Sequence, residues 1–380
     1  MSEHRVAIQL TSTGGFYGAE RMLVELAAYL RDQEWDSHVV ALEGAGAAEV
    51  VRRATAERLS AEAFVPSGRL GFMPMVKRLR SLLQRYPRAV VHSHGYKPDI
   101  LLFLLRVPHR LICLATCHSW YSMSRTDRMF ETLDKRAVRG FDHVIAVSDE
   151  IARDLTANGV PARKVSLINN GISVRPPSTD ARARIRAEMG VTAGSRVIVQ
   201  IGRLAHSKRN DLLVEAVALL PQPLSPHVWL IGEGDRKPML MHLVRQRGLH
   251  DRVRFCGYRT DISEILAAAD VLAVTSDKEG LPITILEAMA THCPLISTRV
   301  GAIPHVLKDG MDAWLVPPGD RAALARALAE ALGQPELARQ RAENAYEKYL
   351  REYSRDSMGL RYLEIYEAAW ARRGWCAGLD

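Results

Sequence analysis

Two carboxylates eight positions apart, Glu279 and Glu287, bracket the run Gly280-Leu281-Pro282-Ile283-Thr284-Ile285-Leu286. A carboxylate accepts hydrogen bonds from hydroxyls. Between the two lie turn amides, near Leu281 and Ile283, and the N-terminus of a helix into which Glu287-Ala288-Met289-Ala290 reads, a combination that receives anions. A ligand with hydroxyls at both ends and phosphate in the middle suits that pattern, and a nucleotide-sugar is such a ligand. Arg203 and Lys208 stand five apart in Gly202-Arg203-Leu204-Ala205-His206-Ser207-Lys208. A guanidinium and an ammonium on one loop can neutralise a diphosphate and stabilise the charge that builds on its bridging oxygen as it leaves. A solvated basic loop would use the same residues.

These side chains need a scaffold, and the sequence supplies one twice. Val6–Leu10, His38–Leu42, Ala89–His92, Leu111–Ala115 and His143–Val147 read as strands, being continuous apolar runs of the kind found where both faces of a parallel sheet are covered. Met22, Leu23, Leu26, Ala27 and Leu30 recur at helical spacing after the first strand. Strands separated by helices imply a doubly wound α/β domain. A polar, proline-containing stretch from Ser173 to Asp180 reads as a linker. The alternation then restarts with strands at Arg196–Ile201, Val228–Ile231, Val253–Phe255, Val271–Thr275, Pro294–Ser297 and Ala313–Val316. Glu279 therefore follows one strand's carboxyl end and Arg203 another's, the end at which open α/β sheets bind ligands. From about Pro335 to Trp375 the pattern is helical.

The ordered set Glu279-x7-Glu287, Ala288-Met289-Ala290, Pro294-Leu295-Ile296-Ser297, Gly301-Ala302-Ile303-Pro304, Asp309-Gly310 and Leu315-Val316-Pro317-Pro318-Gly319-Asp320 resembles the donor-site signature of the family 4 retaining glycosyltransferases. The resemblance implies the GT-B fold, two facing Rossmann-like domains with parallel sheets. The expected division is 1–175 for an acceptor-side domain, joined by a C-terminal helix at 353–380 that crosses back to it, and 176–352 for the nucleotide-sugar domain.

The resemblance also assigns roles. Glu287 would bind ribose hydroxyls, Arg203 and Lys208 the diphosphate, and Glu279 with the amides near Leu281 and Ile283 the sugar. The family usually has Gly after the lysine, where this chain has Arg209. Gly232 in Ile231-Gly232-Glu233-Gly234 would let a ligand approach the backbone, and Tyr258 follows the segment that resembles the family's base-holding region. Gly15 and Gly18 lie in Gly14-Gly15-Phe16-Tyr17-Gly18, which is not the dinucleotide-binding Gly-x-Gly-x-x-Gly and looks more like the family's glycine loop facing the donor phosphates. His118, just past a strand, matches a functional Thr-x-His context and would face the reacting carbon. A structural histidine satisfied by backbone is the other reading, and His92 and His94 are weaker candidates of the same kind. In Asn170-Gly171 the family's following acid is replaced by Ser173. No residue stands out as a covalent nucleophile, so the resemblance implies front-face attack with the leaving phosphate taking the acceptor's proton. No cofactor or metal is expected, the sequence having no Asp-x-Asp.

Composition narrows the partners. The 380 residues carry a net charge of +8. Residues 51–110 hold twelve Lys and Arg against three Asp and Glu, an excess that accounts for all of it. Within it, Val76, Leu79, Leu82 and Leu83 form an apolar stripe of a helix whose remainder is basic. Such a helix can rest on an anionic membrane surface or pack on a sheet with its basic face in water. With the tip Trp120-Tyr121-Ser122-Met123-Ser124-Arg125, the charge suggests a lipid-linked glycan acceptor, and so cell-envelope polysaccharide or glycolipid assembly at the inner membrane face. No leading segment reads as a signal peptide and no run is long enough to span a bilayer, so a cytoplasmic location is expected. The five cysteines show no zinc spacing. Two rival classes remain: a nucleotide-sugar epimerase of the same fold, and a basic nucleic-acid binder. The second is disfavoured because the charge lies away from the strongest motif.

Overall fold

The computed structural model describes residues 5–13, 15–16, 18–42, 46–64, 72–109, 111–118 and 125–374. Two compact units divide the chain: Met1–Ser173 with Glu352–Asp380, and Val174–Arg351.

The first unit contains a seven-stranded parallel sheet: β1 (Val6–Thr11), β2 (Asp36–Ala41), β3 (Ser60–Ala63), β4 (Val90–His94), β5 (Ile112–Cys117), β6 (His143–Ala146) and β7 (Val165–Leu167), in the order β3-β2-β1-β4-β5-β6-β7. β1, β4, β5 and β6 are buried along their whole length, which is why they read as largely apolar runs. The edge strands β3 and β7 are short and half exposed, with no such run, and the sequence reading passes over both. Ile8 pairs with Val91 and with His38 across β1, and Val91 with Cys113 across β4.

The second unit repeats the plan with six strands: β8 (Val197–Ile201), β9 (His227–Ile231), β10 (Val253–Gly257), β11 (Val271–Val274), β12 (Leu295–Thr298) and β13 (Trp314–Val316), ordered β10-β9-β8-β11-β12-β13. In each sheet the order reverses beside the unit's first strand, between β1 and β4 in one and β8 and β11 in the other. Ligands of doubly wound sheets bind outside the carboxyl ends at such reversals.

The helix Arg355–Arg372 belongs to the first unit, as expected of a crossing C-terminal helix. Ser354 caps it, its hydroxyl accepting from the Ser357 amide. Met358, Tyr362, Tyr366 and Trp370, each four residues apart, form one buried face packed on Ala7, Met22, Leu26 and Trp35. Trp35 meets the rings of Tyr366 and Trp370 edge-on at 5.5 and 5.6 Å.

The helix Phe72–Arg85 packs Met75, Leu79, Leu82 and Leu83 into the sheet core, leaving Lys77, Arg78, Arg80 and Arg85 exposed. Its apolar stripe is thus occupied by the protein's own core. The tip residues Trp120–Ser124 lie outside the described residues, as do Gly14 and Tyr17. Cys113, Cys117 and Cys293 are buried free thiols. No helix of the described residues is long and apolar enough to cross a membrane.

Candidate functional site

At the reversal between β8 and β11 the structure brings Lys208 and Glu279 together. The Lys208 ammonium donates to Glu279 Oε1 at 2.5 Å, and Ser276 Oγ donates to the same oxygen at 2.6 Å. The backbone behind them is pinned by side chains. Gln200 Nε2 donates to the Lys208 carbonyl and to Thr275 Oγ1, and Thr275 Oγ1 in turn bonds the Lys208 and Arg209 carbonyls at 3.0 and 2.8 Å. A small pocket opens here, lined by Gly202, Lys208, Asn210, Ser276, Glu279, Pro282 and Thr284 among others.

Arg203 follows β8 on the same loop, exposed and with no ion-pair or hydrogen-bond partner for its guanidinium among the described residues. The amides of Leu281 and Ile283 make no backbone hydrogen bond there either. Ile283 opens the helix Ile283–Ala290, which carries Glu287 half-buried in its second turn. One face of the sheet's carboxyl edge thus presents a free guanidinium, a paired ammonium, two unfilled amides at a helix N-terminus and carboxylates on both sides. That set can hold a diphosphate and hydrogen-bond polyols.

Two glycines let the loops close up. Gly232 has φ +129°, and a Cβ there would lie 2.1 Å from the Gly202 carbonyl oxygen. Gly301 has φ +55°, and a Cβ would fall 1.9 Å from the Glu279 carbonyl oxygen. The Ala302 amide donates to the Gly280 carbonyl from the same turn. Gly301 is therefore the residue against which the Glu279 segment rests. Tyr258 follows β10, 79% exposed. Arg209 holds a left-handed conformation, φ 48° and ψ 45°, where glycine is favoured. Its guanidinium bonds both Asp211 and Asp277, and the Asp277 amide donates to Ser207. These bonds offset the cost of a side chain there.

In the first unit, the β1–β4 reversal brings Gly15 and His94 to one edge. The Gly15 amide donates to Thr13 Oγ1 at 3.1 Å, and Gly18 begins the next helix with open space around it. His118 follows β5, and its ring stacks on His94 with centroids 5.9 Å apart. Burial pushes His118 down to about 4 and His92 to about 3, and holds His94 well below its ordinary value, so all three are neutral at pH 7.

Behind them runs a network that sequence reasoning missed. His92 bonds Tyr366 through Nδ1 and Thr116 through Nε2, both at 2.8 Å, and Gln9 links His94 to Tyr366. The available signal was a polar residue, Gln9, inside an apolar strand. Asn170 and Gly171 lie by the C-terminal helix, and the Ser173 carbonyl accepts from Arg21. Among the described residues no cluster of three or more His, Cys, Asp or Glu could hold a metal ion.

Comparison with known proteins gives matches across both units. Residues 181–348 match the family described as glycosyl transferases group 1, and residues 16–175 that described as glycosyltransferase family 4. N-acetyl-alpha-D-glucosaminyl L-malate synthase of Bacillus anthracis is 25% identical over 298 residues, 77% of this chain and 78% of that protein. Lipopolysaccharide core biosynthesis glycosyltransferase LpsE of Rhizobium meliloti (strain 1021) is 33% identical over 180 residues, 47% of this chain and 52% of that one. Among solved structures, Alr3699/HepE of Anabaena, crystallised with UDP, superposes with a TM-score of 0.80 at 22% identity, covering 95% of this chain and 99% of its own.

Proposed function

The chain belongs to the glycosyltransferases of family 4, and from that premise we propose that it moves a sugar, with retention of anomeric configuration, from a nucleoside-diphosphate sugar to a hydroxyl of a glycan acceptor. The observation that carries this reading is the pairing of Lys208 with Glu279 at the β8–β11 reversal, beside Arg203 and the Leu281 and Ile283 amides, which have no partner among the described residues. The Anabaena structures in complex with UDP and with UDP-glucose support a uridine nucleotide as donor.

In this reading Arg203 and Lys208 hold the diphosphate, Glu279 and the two amides the sugar, and Glu287 the ribose hydroxyls, while Gly232 leaves room by the backbone and Tyr258 sits toward the base. The bond between the sugar's anomeric carbon and the phosphate oxygen breaks as the acceptor oxygen forms its bond on the same face. The acceptor's proton passes to the leaving phosphate. The two side-chain cations stabilise the charge that collects there, so no metal or other cofactor is assigned that task. The first unit receives the acceptor, with Gly15 and Gly18 assigned to the donor phosphates and His118 to the reacting carbon.

Relatives named for lipopolysaccharide core and amylovoran biosynthesis support an envelope glycan as acceptor, lipid-linked and met at the inner face of the cytoplasmic membrane. The exposed cations of Phe72–Arg85 suit an anionic lipid surface by charge alone, since the helix's apolar residues are buried. Proton NMR of the product made from UDP-glucose tests the chemistry. A product linked with the donor's anomeric configuration is expected. Inversion would contradict retention, and a new nucleotide-sugar formed without acceptor would make the protein an epimerase.

A further inference from the structure

His94 Nδ1 and His118 Nε2 are buried and make no hydrogen bond among the described residues. A buried, unpaired ring nitrogen costs free energy and calls for a partner. The two belong to stacked rings at the carboxyl ends of adjacent strands, β4 and β5. The orientation of the Gln9 amide sets which nitrogen of His94 carries its proton. Gln9 Nε2 donates to the Tyr366 hydroxyl at 2.8 Å, so Gln9 Oε1 is left to accept, and the group 3.0 Å from it is His94 Nε2. In this orientation of Gln9 that nitrogen is the N–H, and His94 Nδ1 is a bare lone pair. The Tyr366 hydroxyl, accepting from Gln9, passes its own proton toward His92 Nδ1. His92 Nε2 then donates to Thr116 Oγ1, which is free to donate to Tyr362. Each link fixes the next, and the polarity of the chain is set along its length.

We propose that Tyr366, on the C-terminal helix, is a positioning residue that through Gln9 fixes the tautomer of His94 and so presents a hydrogen-bond acceptor to an incoming hydroxyl of the acceptor glycan. The assignment of the hydroxyl rests on the glycosyltransferase reading above; the chain itself does not. It gives the returning helix a chemical task, because Tyr366 reaches Gln9 across 357 positions of sequence. A phenylalanine would keep the ring packed against Trp35 and delete the hydroxyl to which Gln9 Nε2 donates. Released, that amide can turn over, and His94 can exchange its N–H to Nδ1.

The full-length protein, labelled with 15N in its histidine rings, tests this. In the wild type the His94 signals report an Nε2–H tautomer. In Tyr366→Phe and, independently, in Gln9→Met they move toward a mixture. UDP release from UDP-glucose, per folded molecule, falls about tenfold in both, in kcat rather than in the donor KM, as a misplaced polar group costs rate. An unchanged His94 tautomer in both variants, or a loss of turnover that merely follows lost folded protein, overturns the proposal. Wild-type protein that consumes no nucleotide-sugar would instead sink the functional reading, while the ring signals would still decide the tautomer.

Discussion

The Lys208 ammonium lies 2.5 Å from a Glu279 carboxylate oxygen that also accepts from Ser276. The cation assigned to the diphosphate is thus held by the carboxylate assigned to the sugar. With side-chain exposures of 29% and 10%, the pair is shielded enough for each charge to depend on the other. Replacing Lys208 by Met should lower kcat/KM by about a hundredfold, the scale seen when one transition-state donor is lost. Glu279→Gln should be comparably damaging. The double variant should lose less than the sum, because both act on one contact. Steady-state kinetics on the four proteins of this cycle reads the coupling directly.

The loop that carries Lys208 turns on Arg209, at φ 48°. An alanine there keeps the unfavourable backbone and gives up the bonds to Asp211 and Asp277. A glycine gives up the bonds but relieves the backbone. Arg209→Gly should therefore be more stable than Arg209→Ala by about 1 kcal/mol, with the wild type at or above both. Thermal melts of the three order them.

Gly301 makes the complementary case. A methyl 1.9 Å from the Glu279 carbonyl oxygen would force the turn that carries Glu279 outward. Gly301→Ala should weaken donor binding by about tenfold or more and lower the melting temperature. A titration with UDP checks the first effect and a thermal melt the second.

Much of this was open to reading from sequence, for physical reasons that differ by element. The central strands β1, β4, β5 and β6 are covered on both faces, so their burial is written as apolar runs. β3 and β7 sit at sheet edges, where half-exposed residues leave no such record. Glu279, Lys208 and Arg203 were visible because each closely follows a strand's carboxyl end. Their contact was not, since it joins loops 71 positions apart. Tyr362 and Tyr366 lay in a stretch that read only as helical. Their hydroxyl bonds to Thr116 and Gln9 arise once the last helix returns to the first unit. The left-handed turn at Arg209 was hinted at by the family's glycine, which this chain lacks.

Buried titratable groups of the first unit pull in opposite directions with pH. Burial depresses His118 to about 4 and His92 to about 3, from an ordinary 6.5. As pH falls below about 6.5 the unfolded chain takes up these protons first, so the stability present at neutral pH should drain away between pH 6 and 4. Asp99 is the reverse: burial, with the neighbouring Asp134 charge, holds its carboxyl well above the usual range. The folded state keeps a proton that the unfolded chain sheds near pH 4, so Asp99 weakens the fold as pH rises. Asp99→Asn should raise the melting temperature at pH 7–8 and give little gain at pH 4. Thermal melts from pH 4 to 8 follow both effects.

The basic face of Phe72–Arg85 leads to a test with vesicles. Because its apolar side is spent on the core, attachment would be by charge alone. The protein should sediment with vesicles rich in anionic lipid at low salt, detach as salt shortens the Debye length, and ignore neutral vesicles. Lys77→Glu with Arg80→Glu should abolish the binding while leaving turnover of UDP-glucose intact.

The central claim is that the carboxyl edge of the second sheet grips a nucleotide diphosphate through Arg203 and Lys208. Calorimetric titration of UDP into the wild type and into Arg203→Met tests it most directly. Saturable one-to-one binding in the wild type, weakened about tenfold or more in a variant that melts at the same temperature, is the expected result. Absence of binding by UDP and other nucleoside diphosphates, or equal affinity in the two proteins, would contradict the account.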